Sequence, residues 1–361
     1  MNTVERLREL GTSTWLDDLS RQRIATGNLE AVKREKSVVG VTTNPAIFAS
    51  AMSTGSAYDE QIQQLRASGA SPDEAVYAMS IDDVRDACDI FQDIYDATDG
   101  LDGRVSIEVD PRYAHDEAKT IAQAKELWAR VGKPNAMIKI PATDASLPAV
   151  TAALAAGISV NVTLIFSVER YREVIRAYKE GIRQAAANGH DVSTIHSVAS
   201  FFVSRMDTEV DARLEQIATS EALALRGKAG VANAQLAYRL FLEEFSSLDD
   251  LPAGANVQRP LWASTGVKNP EYPVTLYVSE LAGPNTVNTM PESTIDATLA
   301  SDSLHGDTLS ASADDAQKTF DAITAAGIDL SDVVRVLEQE GVDKFVDAWQ
   351  ELLNSMSEKL Q

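Results

Sequence analysis

The chain has 361 residues, 44% hydrophobic and 24% charged, a balance that suits a soluble globular protein and excludes wholesale disorder. Its 54 acidic against 32 basic residues give a net charge of -22, which argues against a nucleic-acid or anionic-membrane surface and requires an anionic ligand to find a local basic pocket. A single cysteine, Cys88, leaves no internal disulfide, the charged start "MNTVERLREL" lacks the apolar core of a signal peptide, and no apolar stretch approaches the roughly 18 residues of a membrane span. A cytoplasmic location is expected.

Strand-like and helix-like segments alternate along the chain. Strands are expected at Thr14 to Asp17, Val38 to Thr42, Val105 to Val109 and Ala136 to Ile140, then at Ser159 to Thr163, His196 to Ser200, Leu261 to Ser264 and Thr286 to Thr289. Helical periodicity marks Asp116 to Arg130, through Ala118, Ile121, Ala122, Leu127 and Trp128. It also marks Ser167 to Asn188, through Val168, Tyr171, Val174, Ile175 and Tyr178. Pairs of helices are expected to be inserted after the second strand, roughly 54–98, and after the sixth, roughly 207–246. The segment after Ser310 reads as helices only. No internal repeat or low-complexity linker is visible, and the Pro/Gly-rich patch Asp249 to Pro260 is short enough to be a loop.

Eight βα units predict a (β/α)8 TIM barrel, one domain over residues 1–361 that includes C-terminal helices from about 311. The strand faces support the barrel over an open doubly wound sheet. Val105, Ile107 and Val109 share one face opposite Ser106, Glu108 and Asp110; Val160, Val162 and Leu164 share one opposite Ser159, Asn161 and Thr163. A barrel strand needs an apolar outer face for its helix and can carry polar groups inward near the carboxyl end, whereas a sheet covered on both sides should be apolar on both faces.

In "NAMIKIPAT" (Asn135 to Thr143), Lys139 shares a face with Met137 and Pro141, away from Ile138 and Ile140. A lysine in a poorly solvated pocket has its neutral amine favoured and becomes a nucleophile able to form a Schiff base with a carbonyl. A strand-end lysine reaching solvent is the plain alternative. Other strand ends supply Asp17, Asn44, Glu108, Asn161, Thr163 and Ser200; Arg205 follows the sixth strand, and Ser264 and Lys268 follow the seventh. Schiff-base chemistry needs an amine, groups that move protons to and from hydroxyls, and donors that hold a polyol. Each requirement has a candidate, although singly Asp17 could cap a helix, Asn44 shape a turn, Glu108 join a salt bridge and Thr163 bond backbone.

At these residues the sequence resembles the transaldolases, of the longer bacterial type, over nearly the whole chain. The resemblance is carried by "STWLDDLSR" (Ser13 to Arg21), "GVTTNPAIF" (Gly40 to Phe48), "VSIEVDPR" (Val105 to Arg112) and "MIKIPAT" (Met137 to Thr143). It continues in "SVNVTLIFS" (Ser159 to Ser167), "SVASFFVSRMD" (Ser197 to Asp207), "RPLWASTGVKNP" (Arg259 to Pro270) and "ELAGPNTVNTMPEST" (Glu280 to Thr294). It implies a barrel without metal or organic cofactor that moves a dihydroxyacetone unit between sugar phosphates of the pentose phosphate pathway. By the same matching Lys139 forms the imine, Glu108 acts through a water as acid and base, Thr163 orients that water, and Asp17 handles the hydroxyl proton of carbon–carbon cleavage. Asn44 and Asn161 would bond the dihydroxyacetone hydroxyls beside Ser200, and Arg205, Ser264 and Lys268 would grip phosphate. Two departures stand out: the first strand ends in Asp17-Asp18, either of which could be the acid, and Lys268 stands where shorter members carry arginine.

Two other functions compete. The fructose 6-phosphate aldolases resemble the same pattern but carry glutamine and tyrosine where Glu108 and Phe202 stand, and a non-catalytic sugar-phosphate binding protein could keep the pocket. Cys88 falls on an apolar helix face with Val84, Ala87, Phe91 and Ile94 and reads as a core residue. His115, His190, His196 and His305 lack metal-ligand spacing. Phe345, Val346, Trp349, Leu352 and Leu353 recur at helical spacing, so the last helix is expected to pack on the barrel or to form a dimer contact; a monomer and a homodimer both fit.

Overall fold

The computed structural model describes residues 1–361. Its eight parallel strands are β1 (Thr12–Asp17), β2 (Gly40–Thr42), β3 (Arg104–Glu108), β4 (Ala136–Pro141), β5 (Val160–Ile165), β6 (Ser197–Phe202), β7 (Gln258–Ala263) and β8 (Thr286–Met290). They pair in chain order, and β8 closes on β1, giving the expected (β/α)8 barrel. Every expected strand is present with shifted ends. Val38 lies outside the ladder, and Val39 reaches β1 only through its N–H to the Thr14 carbonyl at 2.9 Å. β7 starts three residues before Leu261 because Pro260, paired with Ala199, removes one donor without ending the parallel ladder.

Outer faces of the strands pack with the surrounding helices. Ile138, Ile140, Val160, Val162 and Trp262 belong to that core, while Trp15, Met137, Val198, Leu261 and Val287 fill the barrel interior. One expected face is corrected. Leu164 does not continue the Val160–Val162 face, because the β5–β6 register shifts between Val162 and Ile165 and Leu164 takes a left-handed φ of 62°. Ile165 takes the outer face instead, and Leu164 turns to the cluster at the barrel mouth with Phe166, Phe202 and Phe345.

The helical insertions fall where expected. After β2 come Pro45–Ser53, Asp59–Ala67 and Pro72–Ala97, and after β6 come Ser204–Ile217, Ser220–Leu223 and Ala229–Glu244. The helix Pro45–Ser53 adds to the expected pair because Asn44 caps it and proline occupies its first turn. Cys88 is buried within Pro72–Ala97, where burial pushes its thiol up. Past Ser310 lie Ala313–Ala325 and Leu330–Leu360. This last helix crosses the carboxyl mouth of the barrel. Gly341 sits against Phe166 and Leu164, Trp349 packs 5.0 Å from the Tyr77 ring, and Lys359 donates to the Met52 carbonyl at 2.6 Å.

The amino end is sealed by a buried ion pair set beside the apolar interior. Asp102 accepts from Ser13 at 2.7 Å and from the Trp15 indole at 3.0 Å, and pairs with Arg259 at 3.1 Å, with the Arg259 and Asp102 side chains only 4% and 7% exposed. Removing one member of such a pair leaves the other charge buried and uncompensated. Asp102→Ala should therefore cost about 3 to 5 kcal/mol, read as a lower urea midpoint. An unchanged midpoint would show that the seal does not hold the barrel.

Candidate active site

In-register pairing of three adjacent strands builds the centre. Glu108 on β3 pairs with Lys139 on β4, which pairs with Asn161 on β5, so three inward side chains stand side by side. The Lys139 ammonium is 3.4 Å from Glu108 Oε2 and donates to the Thr43 carbonyl at 2.9 Å. Both side chains are 6% exposed. Neither Glu108 carboxylate oxygen has a hydrogen-bond partner, and the same holds for the buried Thr163 hydroxyl. Burial raises the Glu108 carboxyl to about 7; Lys139 opposes that rise and Asp17 adds to it. Asn161 accepts from Ser200 at 2.7 Å and donates to Ser106 at 3.2 Å, which fixes its amide.

Above this row a cavity of about 120 Å³ opens at the carboxyl ends of the strands, lined by Asp17, Thr42, Asn44, Lys139, Ser200 and Phe202, together with Arg205, Ser264, Lys268 and Phe345. Asp17 accepts from the Thr42 hydroxyl at 2.8 Å. Burial holds its carboxyl above the usual value, against the pull of Lys139 and Thr42. The neighbouring Asp18 instead forms an ion pair with Arg23 at 2.6 Å. Of the two acids, Asp17 is the one that faces Lys139. Asn44 uses its carbonyl oxygen to cap the helix Pro45–Ser53 through the Ile47 N–H at 3.0 Å, so the turn role and the place on the cavity wall coexist.

The far wall is cationic. Arg205 stacks over the Phe202 ring at 5.1 Å, and neither it nor Lys268 forms an ion pair. Burial draws the Arg205 guanidinium below its usual value, opposed by Glu340 of the C-terminal helix. Ser264 has a left-handed φ of 54° and its hydroxyl meets that of Ser204 at 2.8 Å. Two unpaired cations in so acidic a chain mark the place where an anion gains most.

Of the residues expected from the sequence, Asp17, Asn44, Lys139, Ser200, Phe202, Arg205, Ser264 and Lys268 line the one cavity. Glu108, Asn161 and Thr163 lie off its wall, buried on the strands flanking β4. Three residues without an expected role also belong to the site. Thr42 bonds Asp17 and the Thr43 carbonyl anchors Lys139, both within "TTNP"; Phe345 joins the wall from the last helix. The amphipathic spacing of that helix indicated a buried face, without indicating what it would cover.

A parallel (β/α)8 barrel with an enclosed lysine and two carboxyl groups at its carboxyl end defines the class: a lysine-centred barrel. Residues 14–356 match the family described as Transaldolase/Fructose-6-phosphate aldolase, and the chain belongs to that family. A Mycolicibacterium smegmatis protein named Transaldolase is 61% identical over 357 residues, covering 98% of this chain and 96% of the relative. Proteins of the same name from Mycobacterium leprae and Mycobacterium tuberculosis are each 59% identical. The first alignment covers 98% of this chain and 96% of the relative, the second 96% and 94%.

The raised Glu108 carboxyl has a measurable consequence. A carboxyl with a folded value above its unfolded value holds its proton more tightly in the folded state. Its contribution to stability is present below pH 4.5 and is lost as pH rises through about 7. Difference infrared spectroscopy should show a carboxyl titrating near pH 7 that disappears in Glu108→Gln. A Glu108 titration near 4.5 would contradict the enclosed pair.

Proposed function

We propose that the protein is a transaldolase acting through a Lys139 Schiff base. In this reading it transfers a dihydroxyacetone unit from sedoheptulose 7-phosphate or fructose 6-phosphate to glyceraldehyde 3-phosphate or erythrose 4-phosphate. The observation that carries it is the Lys139 amine, held between Glu108 and the Thr43 carbonyl, facing a cavity whose far wall bears the unpaired cations Arg205 and Lys268. An amine and an anion site at opposite walls suit a phosphorylated ketose.

Lys139 would attack the ketose carbonyl, and a water shared by Glu108 and Thr163 would carry protons to and from the carbinolamine. A carboxyl poised near neutrality serves both directions of that transfer. Asp17, close enough to Lys139 to feel its charge, would take the proton from the hydroxyl next to the breaking carbon–carbon bond and return it when the acceptor aldehyde adds. Asn44, Asn161 and Ser200 would hold the three-carbon unit, and Arg205, Ser264 and Lys268 the phosphate. All of this needs only side chains of this chain and sugar phosphates, in the cytoplasm.

The aldolase reading is disfavoured by two residues. Glu108 supplies a carboxyl where an amide could not exchange protons, and Phe202 places a ring where a tyrosine hydroxyl would donate one. With fructose 6-phosphate alone, product release should therefore stop after about one turnover per site, and erythrose 4-phosphate should restart it. Borohydride added during the pause should attach the three-carbon unit to the peptide containing Lys139, and Lys139→Ala should abolish adduct and turnover. Continuous release of free dihydroxyacetone at the two-substrate rate would identify an aldolase; an adduct on another lysine would remove Lys139 from its role.

A further inference from the structure

Phe345 is the one member of the cavity wall supplied by the C-terminal helix Leu330–Leu360. Its ring centre lies 5.6 Å from the Lys139 ammonium, and the residue is 7% exposed. Near Lys139 the wall is otherwise rich in polar groups, among them Asp17, Thr42, Asn44 and Ser200. An apolar ring in that company neither donates nor accepts a proton and offers water nothing to bond.

The helix is held at this spot on both sides of Phe345. Gly341, one turn earlier on the same face, has no side chain, and a Cβ there would stand 3.0 Å from the Phe166 ring and 3.3 Å from Leu164. A side chain there requires the Phe166 ring or the helix to give by a few tenths of an ångström. Trp349, one turn later, packs on Tyr77, whose hydroxyl donates to the Glu108 carbonyl at 3.4 Å. The left-handed Leu164 completes the cradle.

We propose that Phe345 keeps bulk water from the enamine carbon of the three-carbon unit on Lys139, so that the unit waits for an acceptor aldehyde instead of being protonated and released. The inference rests on the Lys139 imine reading and deepens it. Once the first aldehyde has left, the unit is an enamine of the Lys139 nitrogen, and its loss consumes one water. A proton adds to the enamine carbon, the water oxygen bonds to the resulting imine carbon, and the hydroxyl proton passes to nitrogen as the C–N bond breaks. Free dihydroxyacetone and the lysine amine result. Transfer needs no water until the acceptor has bonded, so a wall that delays water favours transfer over release.

The test is the ratio of acceptor-free dihydroxyacetone release to transfer onto erythrose 4-phosphate, which a general loss of structure would leave unchanged because it lowers both rates. Phe345→Ala should raise this ratio by about tenfold or more, and Phe345→Leu, which restores apolar bulk without the ring, should stay within about threefold of wild type. An unchanged ratio in Phe345→Ala overturns the proposal, and so does a Leu variant that behaves like the Ala variant, since the ring's attraction for a cation would then be what matters. Should circular dichroism show that Phe345→Ala does not fold, Gly341→Ala carries the same test: its methyl pushes on Phe166 and should raise the ratio, and an unchanged ratio overturns the proposal. Failure of the wild type to form a borohydride adduct at Lys139 would be a different result, removing the imine reading itself.

Discussion

Burial of the Lys139 ammonium is the constraint around which the site is arranged. A charge taken out of water is tolerated only where partners compensate it, and here they are Glu108 at 3.4 Å and the Thr43 carbonyl at 2.9 Å. Both follow from strand register, which pairs Lys139 with Glu108 and brings the end of β2 over it. The same enclosure raises Glu108 to about 7, because a carboxylate deprived of water is costly even beside a lysine. One act of burial thus sets the surroundings of the lysine and the proton affinity of the neighbouring carboxyl together.

Charge is zoned along the barrel axis. At the amino end Asp102, Arg259, Ser13 and Trp15 satisfy one another, and His196, lowered to about 3 by burial and by Arg104 and Arg259, stays neutral. The Asp102–Arg259 pair serves the fold. At the carboxyl end Arg205 and Lys268 have no ion-pair partner, in a chain whose net charge is -22. That contrast separates a paired charge cluster from cations left free to attract an anion.

Much of this was legible in the sequence, for a physical reason. Alternation along a strand is local, so the inward placement of Glu108, Lys139, Asn161 and Ser200 follows from residue order, as does that of Asp17 once β1 has a phase. The turn of Leu164 away from its expected face was not legible, because a bulge is set by how β5 meets β6. Phe345 escaped for a related reason. Helical spacing declares that it is buried, but its position over Lys139 depends on where a distant helix docks, and that is decided by Gly341 against Phe166 and Trp349 against Tyr77.

The central claim is that a single enclosed amine carries the substrate. It is tested most directly by a crystal structure of the protein reduced with borohydride in the presence of fructose 6-phosphate. The account predicts continuous density from the Lys139 nitrogen to the middle carbon of a three-carbon unit, with Asn44 and Ser200 at its hydroxyls and the Phe345 ring against it. Density on any other lysine, or a three-carbon unit lying outside the barrel mouth, would contradict it.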